Sequence, residues 1–155
     1  MIKDSGNRRE FDSGAVRDMP DGKGRCDLMP LEVVAALLHD DILYRLARFM
    51  ETYKTEYLYE ALQMFASKAF EGKQTTMLLE VAIHYEEGAK KYGPHNWKKG
   101  IPLWCYIDSA IRHYLKYHRG DDDERHDRAF VWNVLCCIWE VDYHNLTEVD
   151  RCENT

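Results

Sequence analysis

Glu80, His84, Glu87 and Lys91 recur at i, i+4, i+7 and i+11, a spacing that gathers them on one face of a helix. Two carboxylates and an imidazole so placed could share one divalent cation. They could equally make a solvated face on which Glu and Lys pair. The loop Gly93-Pro94-His95-Asn96-Trp97-Lys98-Lys99-Gly100 follows, too polar for a core and too aromatic for a linker. A second helix then sets Asp108, Arg112 and Lys116 at successive i+4 steps, with His113 adjacent. Its other positions, Cys105, Ile107, Ala110, Ile111, Tyr114 and Leu115, are apolar nearly all round, so Asp108 is expected to be at least partly buried. A buried carboxylate needs a cation, either Arg112 or a metal ion. Asn133 is a lone amide in the apolar run Phe130-Val131-Trp132-Asn133-Val134-Leu135. It could satisfy a backbone group, or orient a ligand base or a catalytic water. Two ionisable-rich helices joined by such a loop predict a polar pocket whose default use is ligand chemistry.

The elements that must hold these groups read as helices. The Gly93-Pro94 pair stops the first at Tyr92, predicting a helix over 74–92 with Met77, Val81, Tyr85, Gly88 and Tyr92 as its packing stripe. Pro102 opens the next, over 102–119, and Gly120 stops it. Asp121-Asp122-Asp123 is expected to cap a last helix over 124–143, where acids suit the positive end of the dipole. Upstream, Pro30 opens a helix carrying Leu31, Val34, Ala35 and Leu38. Asp40 and Asp41 are candidate caps for another, with two apolar stripes following between 42 and 69. No stretch shows strand alternation between hairpin turns. The fold is expected to be all-α: an irregular arm over 1–29, a helical domain over 30–144 and a polar tail over 145–155. The arm reads as a tail, or as a basic strap laid over a ligand.

Composition narrows the function. The chain has 155 residues and a formal charge of −6, which argues against a sequence-independent grip on a nucleic-acid polymer. Small phosphate ligands stay open, because a divalent metal mediates between acids and an anion. Five cysteines without a CxxC pair read as reduced thiols. The N-terminus is polar and no apolar run approaches a membrane span, so a cytoplasmic setting without membrane contact is expected.

These residues resemble a family widespread in phages and bacteria, the dATP/dGTP diphosphohydrolases, relatives of the MazG-like nucleotide pyrophosphohydrolases. The resemblance is carried by Gly14-Ala15-Val16-Arg17-Asp18 with Gly22-Lys23-Gly24-Arg25, by Asp27-Leu28-Met29-Pro30, by Gly88 to Pro102, by Asp108 to His113, and by Gly120 to Asn133. Residues 40–72 look like a helical insertion. The resemblance implies a MazG-like helical bundle whose acids hold Mg²⁺ or Mn²⁺ and a purine deoxynucleoside triphosphate, which is split to monophosphate and pyrophosphate. On that basis Glu80, His84, Glu87 and Asp108 are expected to bind metal or activate water, with Glu87 and Asp108 the least dispensable. Lys91, Lys99 and Arg112 would neutralise phosphates, Trp97 would stack on the base, and Asn96 would read its edge. His113 and Asn133 would complete the substrate site. In phages the setting would be the host cytoplasm. The MazG pattern ExxE…ExxD becomes His84xxGlu87 and Cys105xxAsp108 here, while an intact Glu124xxAsp127 stands further along. That departure supports an alternative: a phage protein that sequesters a host signalling nucleotide without turnover.

The aromatic and aliphatic residues Phe130, Trp132, Ile138, Trp139 and Tyr143 exceed what one small core can absorb. A dimer or tetramer is therefore expected, as the resemblance also implies. Light scattering at micromolar concentration should give a multiple of the 18.3 kDa chain mass, and a monomer alone would refute the expectation.

Overall fold

The computed structural model describes residues 4–20 and 22–144. The chain is all-α, with six α-helices among the described residues: α1 (Leu31–Leu38), α2 (Asp41–Thr52), α3 (Glu56–Ala69), α4 (Gln74–Tyr92), α5 (Leu103–Arg119) and α6 (His126–Asp142). The tail at 145–155 lies outside the described residues. Among the described residues no helix is long and apolar enough to cross a membrane.

The helix boundaries follow local chemistry. Asp40 caps α2 by accepting the Leu43 N–H at 2.9 Å. Gly120 ends α5 in the left-handed region, at φ 85°, where its N–H closes on Lys116 and Tyr117 carbonyls. One boundary departs from expectation by more than a single residue. α6 starts at His126 rather than at 124, and no side chain caps it. The acids before it are drawn elsewhere: Asp123 sits 2.7 Å from the His126 ring and Glu124 3.4 Å from His113.

α5 and α6 form the centre. Their pairing is antiparallel, since Tyr106 meets Trp132 while His113 meets His126 across the turn. α3 closes one side through Phe65, whose ring stands edge-on to Phe130 at 4.6 Å. α1 and α2 extend the layer, and α4 packs on α6. The largest wholly enclosed side chains are Tyr106, Tyr114, Phe49, Phe65 and Phe130. Tyr114 is tolerated there because its hydroxyl donates to Asp40 at 2.5 Å.

The arm contains a strand pair that the sequence did not announce. β1 (Arg8–Glu10) and β2 (Val16–Asp18) are antiparallel, in register Arg8↔Asp18 and Glu10↔Val16. Three residues per strand are too few to show a period of two. What holds the hairpin is Asn96. Its amide oxygen accepts the Val16 N–H at 2.9 Å and its amide nitrogen donates to the Val16 carbonyl at 2.8 Å. The side chain thus plays the part of a neighbouring strand, so Asn96, expected to read a base edge, is committed to the backbone.

Trp97 also lies elsewhere than expected. It packs edge-on to Trp139 at 5.1 Å and against Tyr85 at 6.0 Å, and it does not line the cavity described below. It buttresses the loop against α4 and α6. Trp97→Ala should therefore cost about 3 kcal/mol of stability in urea denaturation, the scale of an aromatic truncated in a packed cluster. An unchanged denaturation midpoint would return Trp97 to the ligand.

Candidate functional site

α5 is the spine of the site. It is roughly 25 Å long, and successive turns place Trp104, Asp108 with Ser109, Arg112 and Lys116 along a cavity of about 770 Å³. The hairpin contributes Phe11 and Arg17, the following segment Lys23 and Cys26, α4 His84, Gly88 and Lys91, and α6 Trp132 and Asn133. Gly88 leaves open space where a side chain would begin.

Asp108 is buried, and the cation it has found is Arg112, at 2.5 Å. Its other oxygen accepts the Cys26 N–H at 2.6 Å. Arg112 in turn donates to the Gly24 carbonyl at 2.6 Å. One ion pair on α5 thereby ties down residues 24–26, and the arm forms a wall of the cavity. Each carboxylate oxygen of Asp108 keeps a second lone-pair direction.

Arg17 enters the cavity from β2. Its guanidinium lies over Tyr106 at 5.3 Å and near Trp132 at 5.8 Å. One nitrogen donates to Ser109 at 2.9 Å and to the Asn133 amide oxygen at 3.3 Å. The Asn133 amide nitrogen donates to the Ala129 carbonyl at 2.8 Å. Asn133 therefore satisfies a backbone group, as one of its expected roles had it, and also holds the Arg17 guanidinium, a contact not expected. The other guanidinium nitrogen of Arg17 is buried without a partner, a costly state for a charged donor.

The lining carries seven cationic side chains, Arg9, Arg17, Lys23, Lys91, Arg112, Lys116 and Arg119, against four carboxylates, Asp4, Asp18, Asp108 and Glu124. The cavity is net positive in a chain whose formal charge is −6. Aromatic rings are gathered at one end of it along α5. Phe11 and Trp104 stand near the helix start, with Arg9 against both rings and Arg25 over Trp104 at 3.7 Å, and Arg112, Lys116 and Arg119 stand toward its end. Such an arrangement suits a ligand with a flat apolar part and a multiply charged anionic part.

The expected cation-binding set does not converge. Glu80 is held by Arg128 at 2.5 Å and by Arg125 at 3.4 Å. His84 reaches the cavity wall beside Trp132 at 5.8 Å. Glu87 is half-buried outside the lining, and Asp108 has Arg112. Among the described residues, the acid and imidazole groups that come within 4.8 Å of one another are His113–Glu124–His126 and Asp121–Asp123–His126. These could hold a metal. Of the expected phosphate ligands, Lys91 and Arg112 line the cavity, while Lys99 is exposed outside it. Lys91 is nearly covered and lies 3.5 Å from Asp4.

Arg17, Lys116, Glu124, His126 and Trp104 were not singled out as site residues. One signal was available for the imidazoles. His113 and His126 flank Gly120 at almost equal distance along the chain, so a helical hairpin folded there brings them together. Arg17 had only the basic character of the arm to mark it.

Residues 59–150 match the model of the family described as dATP/dGTP diphosphohydrolase, N-terminal. No curated protein and no solved structure matches the chain.

Burial holds two imidazoles neutral. The His84 value falls from the usual 6.5 to about 4, through desolvation first and then the nearby Arg128 and Arg17 charges. His113 is pushed well below the usual value by burial and by His126. Above about pH 6.5 neither group distinguishes folded from unfolded chain. Below it the unfolded chain binds protons that the folded one refuses, so stability is lost as pH falls from 6.5 toward about 4. Urea midpoints should already decline between about pH 6.5 and about 5, above the range where most carboxylates titrate, and His84→Gln should shallow the slope. A level midpoint would show that these rings are not held neutral by the fold.

Proposed function

We propose, from the premise that the chain belongs to the dATP/dGTP diphosphohydrolase family, that it hydrolyses a purine deoxynucleoside triphosphate to its monophosphate and pyrophosphate. The observation that carries this reading is the net-cationic cavity, with a buried guanidinium nitrogen unpaired, inside an acidic chain. The end bounded by Phe11 and Trp104 suits the base. Arg112, Lys116 and Lys23 face the phosphates, and Arg17 fills its open donor position with a phosphate oxygen.

In the reaction, the oxygen of water bonds to the α-phosphorus. The bond from that phosphorus to the α–β bridging oxygen breaks, and its electron pair leaves on pyrophosphate. Asp108 accepts the proton of the water through its remaining lone pairs, while Arg112 and Lys116 stabilise the charge that gathers on the leaving group. A divalent cation, Mg²⁺ or Mn²⁺, would neutralise triphosphate charge and polarise a phosphoryl oxygen when bound. Of the two ions, Mn²⁺ suits His113 and Glu124 on the cavity wall, where an imidazole is among the donors, and these residues line the cavity as Glu80 and Glu87 do not.

One observation favours the second reading, retention of a nucleotide without turnover. The carboxylates expected to hold metal are engaged by arginines, Asp108 by Arg112 and Glu80 by Arg128. A site that binds by cations alone retains an anion and leaves it intact.

A second copy of the chain is the partner proposed, with no nucleic-acid polymer or membrane. Phe130 and Ile138 proved buried, but Leu78, Leu79 and Ile83 on α4 are exposed, with Val33 and Leu37 on α1. Those apolar groups are the surface an assembly would cover.

Product analysis with dGTP and dATP, in Mg²⁺ or Mn²⁺, tests the reaction. The parent should release monophosphate and pyrophosphate. Asp108→Asn should lower turnover about 100-fold or more with the helical circular dichroism kept, and Glu87→Gln should retain turnover. Stoichiometric retention of intact nucleotide with no product would establish the sequestering reading instead.

A further inference from the structure

His113, Glu124 and His126 meet where α5 gives way to α6. The ring nitrogens His113 Nδ1 and His126 Nδ1 stand 2.9 Å apart. Glu124 Oε1 is 3.4 Å from the first and 4.0 Å from the second. A point equidistant from all three atoms lies about 2.0 Å from each, the bond length of a first-row divalent ion to nitrogen or carboxylate oxygen. We infer that these three side chains form a binding site for a borderline transition-metal ion, of the Zn²⁺, Co²⁺ or Mn²⁺ class, on the wall of the cavity.

The surroundings are those of a built metal site. His126 is 1% exposed, and its Nε2 lies 2.7 Å from Asp123 Oδ1. That contact places the proton on Nε2 and leaves Nδ1 as a bare lone pair aimed at His113. A carboxylate behind a ligating imidazole both fixes the tautomer and raises its basicity. Without metal, a proton on His113 Nδ1 bridges the two nitrogens. With metal, that proton moves to His113 Nε2 and both Nδ1 lone pairs face the ion. Burial keeps the His113 ring uncharged at neutral pH, as ligation requires. Two imidazoles and one carboxylate are a donor set that Mg²⁺ does not favour and a borderline ion does. The neighbouring group Asp121–Asp123–His126 is the weaker candidate, because Arg119 already pairs with Asp121 at 2.5 Å and Asp123 serves the far nitrogen of His126.

The site also has a place in the cavity. His113 follows Arg112 on α5, and both His113 and Glu124 line the wall beside Lys116. An ion held there would stand at the cationic end. The inference concerns binding of the ion and does not rest on hydrolysis. Metal uptake without turnover would therefore remove the proposed function and leave the site standing.

The test is a Co²⁺ titration of the full chain after chelator treatment, read by visible ligand-field absorption without nucleotide. The band should saturate at one equivalent per chain, collapse on addition of Zn²⁺, and persist in excess Mg²⁺. It should be lost in His113→Ala and in Glu124→Ala, both checked for helical circular dichroism, and kept in His84→Ala. Asp123→Asn should weaken Co²⁺ affinity about 10–100-fold. Glu124→Gln, which keeps the shape of the side chain, serves if the alanine variant does not fold. No band in the parent, a band unchanged in the folded His113 and Glu124 variants, or displacement by Mg²⁺ would overturn the assignment.

Discussion

The Asp108–Arg112 pair is the constraint on which the cavity depends. An enclosed ion pair by itself contributes little net stability, because desolvation offsets the attraction. Here each partner also satisfies backbone from a distant segment: Asp108 takes the Cys26 N–H, and Arg112 gives to the carbonyl of Gly24. The pair works as a knot between α5 and a segment more than eighty residues earlier. Asn96 ties the same arm a second time through Val16, and Ser13 adds a third tie by donating to the Gly100 carbonyl at 2.6 Å. A glycine-rich stretch with few large apolar groups could not be ordered by packing alone, and polar ties to a rigid helix pair supply what burial cannot.

The electrostatics follow from the same arrangement. An acidic chain repels polyanions at range, but seven cations gathered on low-dielectric walls make a local exception. Several are held in place by acids at the rim. Lys23 lies 3.0 Å from Asp18 and Lys91 3.5 Å from Asp4. These pairs are partly solvated, so each acid can yield its cation to an incoming anion at small cost. Arg17 differs, since its stacked and half-satisfied guanidinium is fixed before any ligand arrives.

The helical scaffold was legible in the sequence because its signals are local. Gly93-Pro94, Gly120 and Asp40 act within one turn of where they stand, and the apolar stripes of α4 and α5 need only the 3.6-residue period. The site was legible only in part. Asp108, Arg112, Lys91 and His113 fall on the cavity because they share helix faces with its neighbours. Glu80 was misplaced because its competitor, Arg128, comes from another helix. Trp97 looked like a ligand group because its polar neighbours in sequence are not its neighbours in space, which are Trp139 and Tyr85. The arm was the least legible, since its order comes from contacts that no window of sequence contains.

Those long ties have a consequence for synthesis. Arg17 is made early, yet its partner Asn133 lies 116 positions later in the chain. The hairpin's clamp at Asn96 and the knot at Asp108 are likewise more than seventy residues downstream. While the ribosome is still adding α5 and α6, the arm has nowhere to dock and its arginines remain in water. Helical pieces with neighbouring contacts can form as they emerge, but the roof closes only after α6 is complete. A chain arrested before α6 would keep part of the helical layer and lack a nucleotide-sized chamber. Synthesis of α6 is thus built into the architecture as a condition for having a site at all.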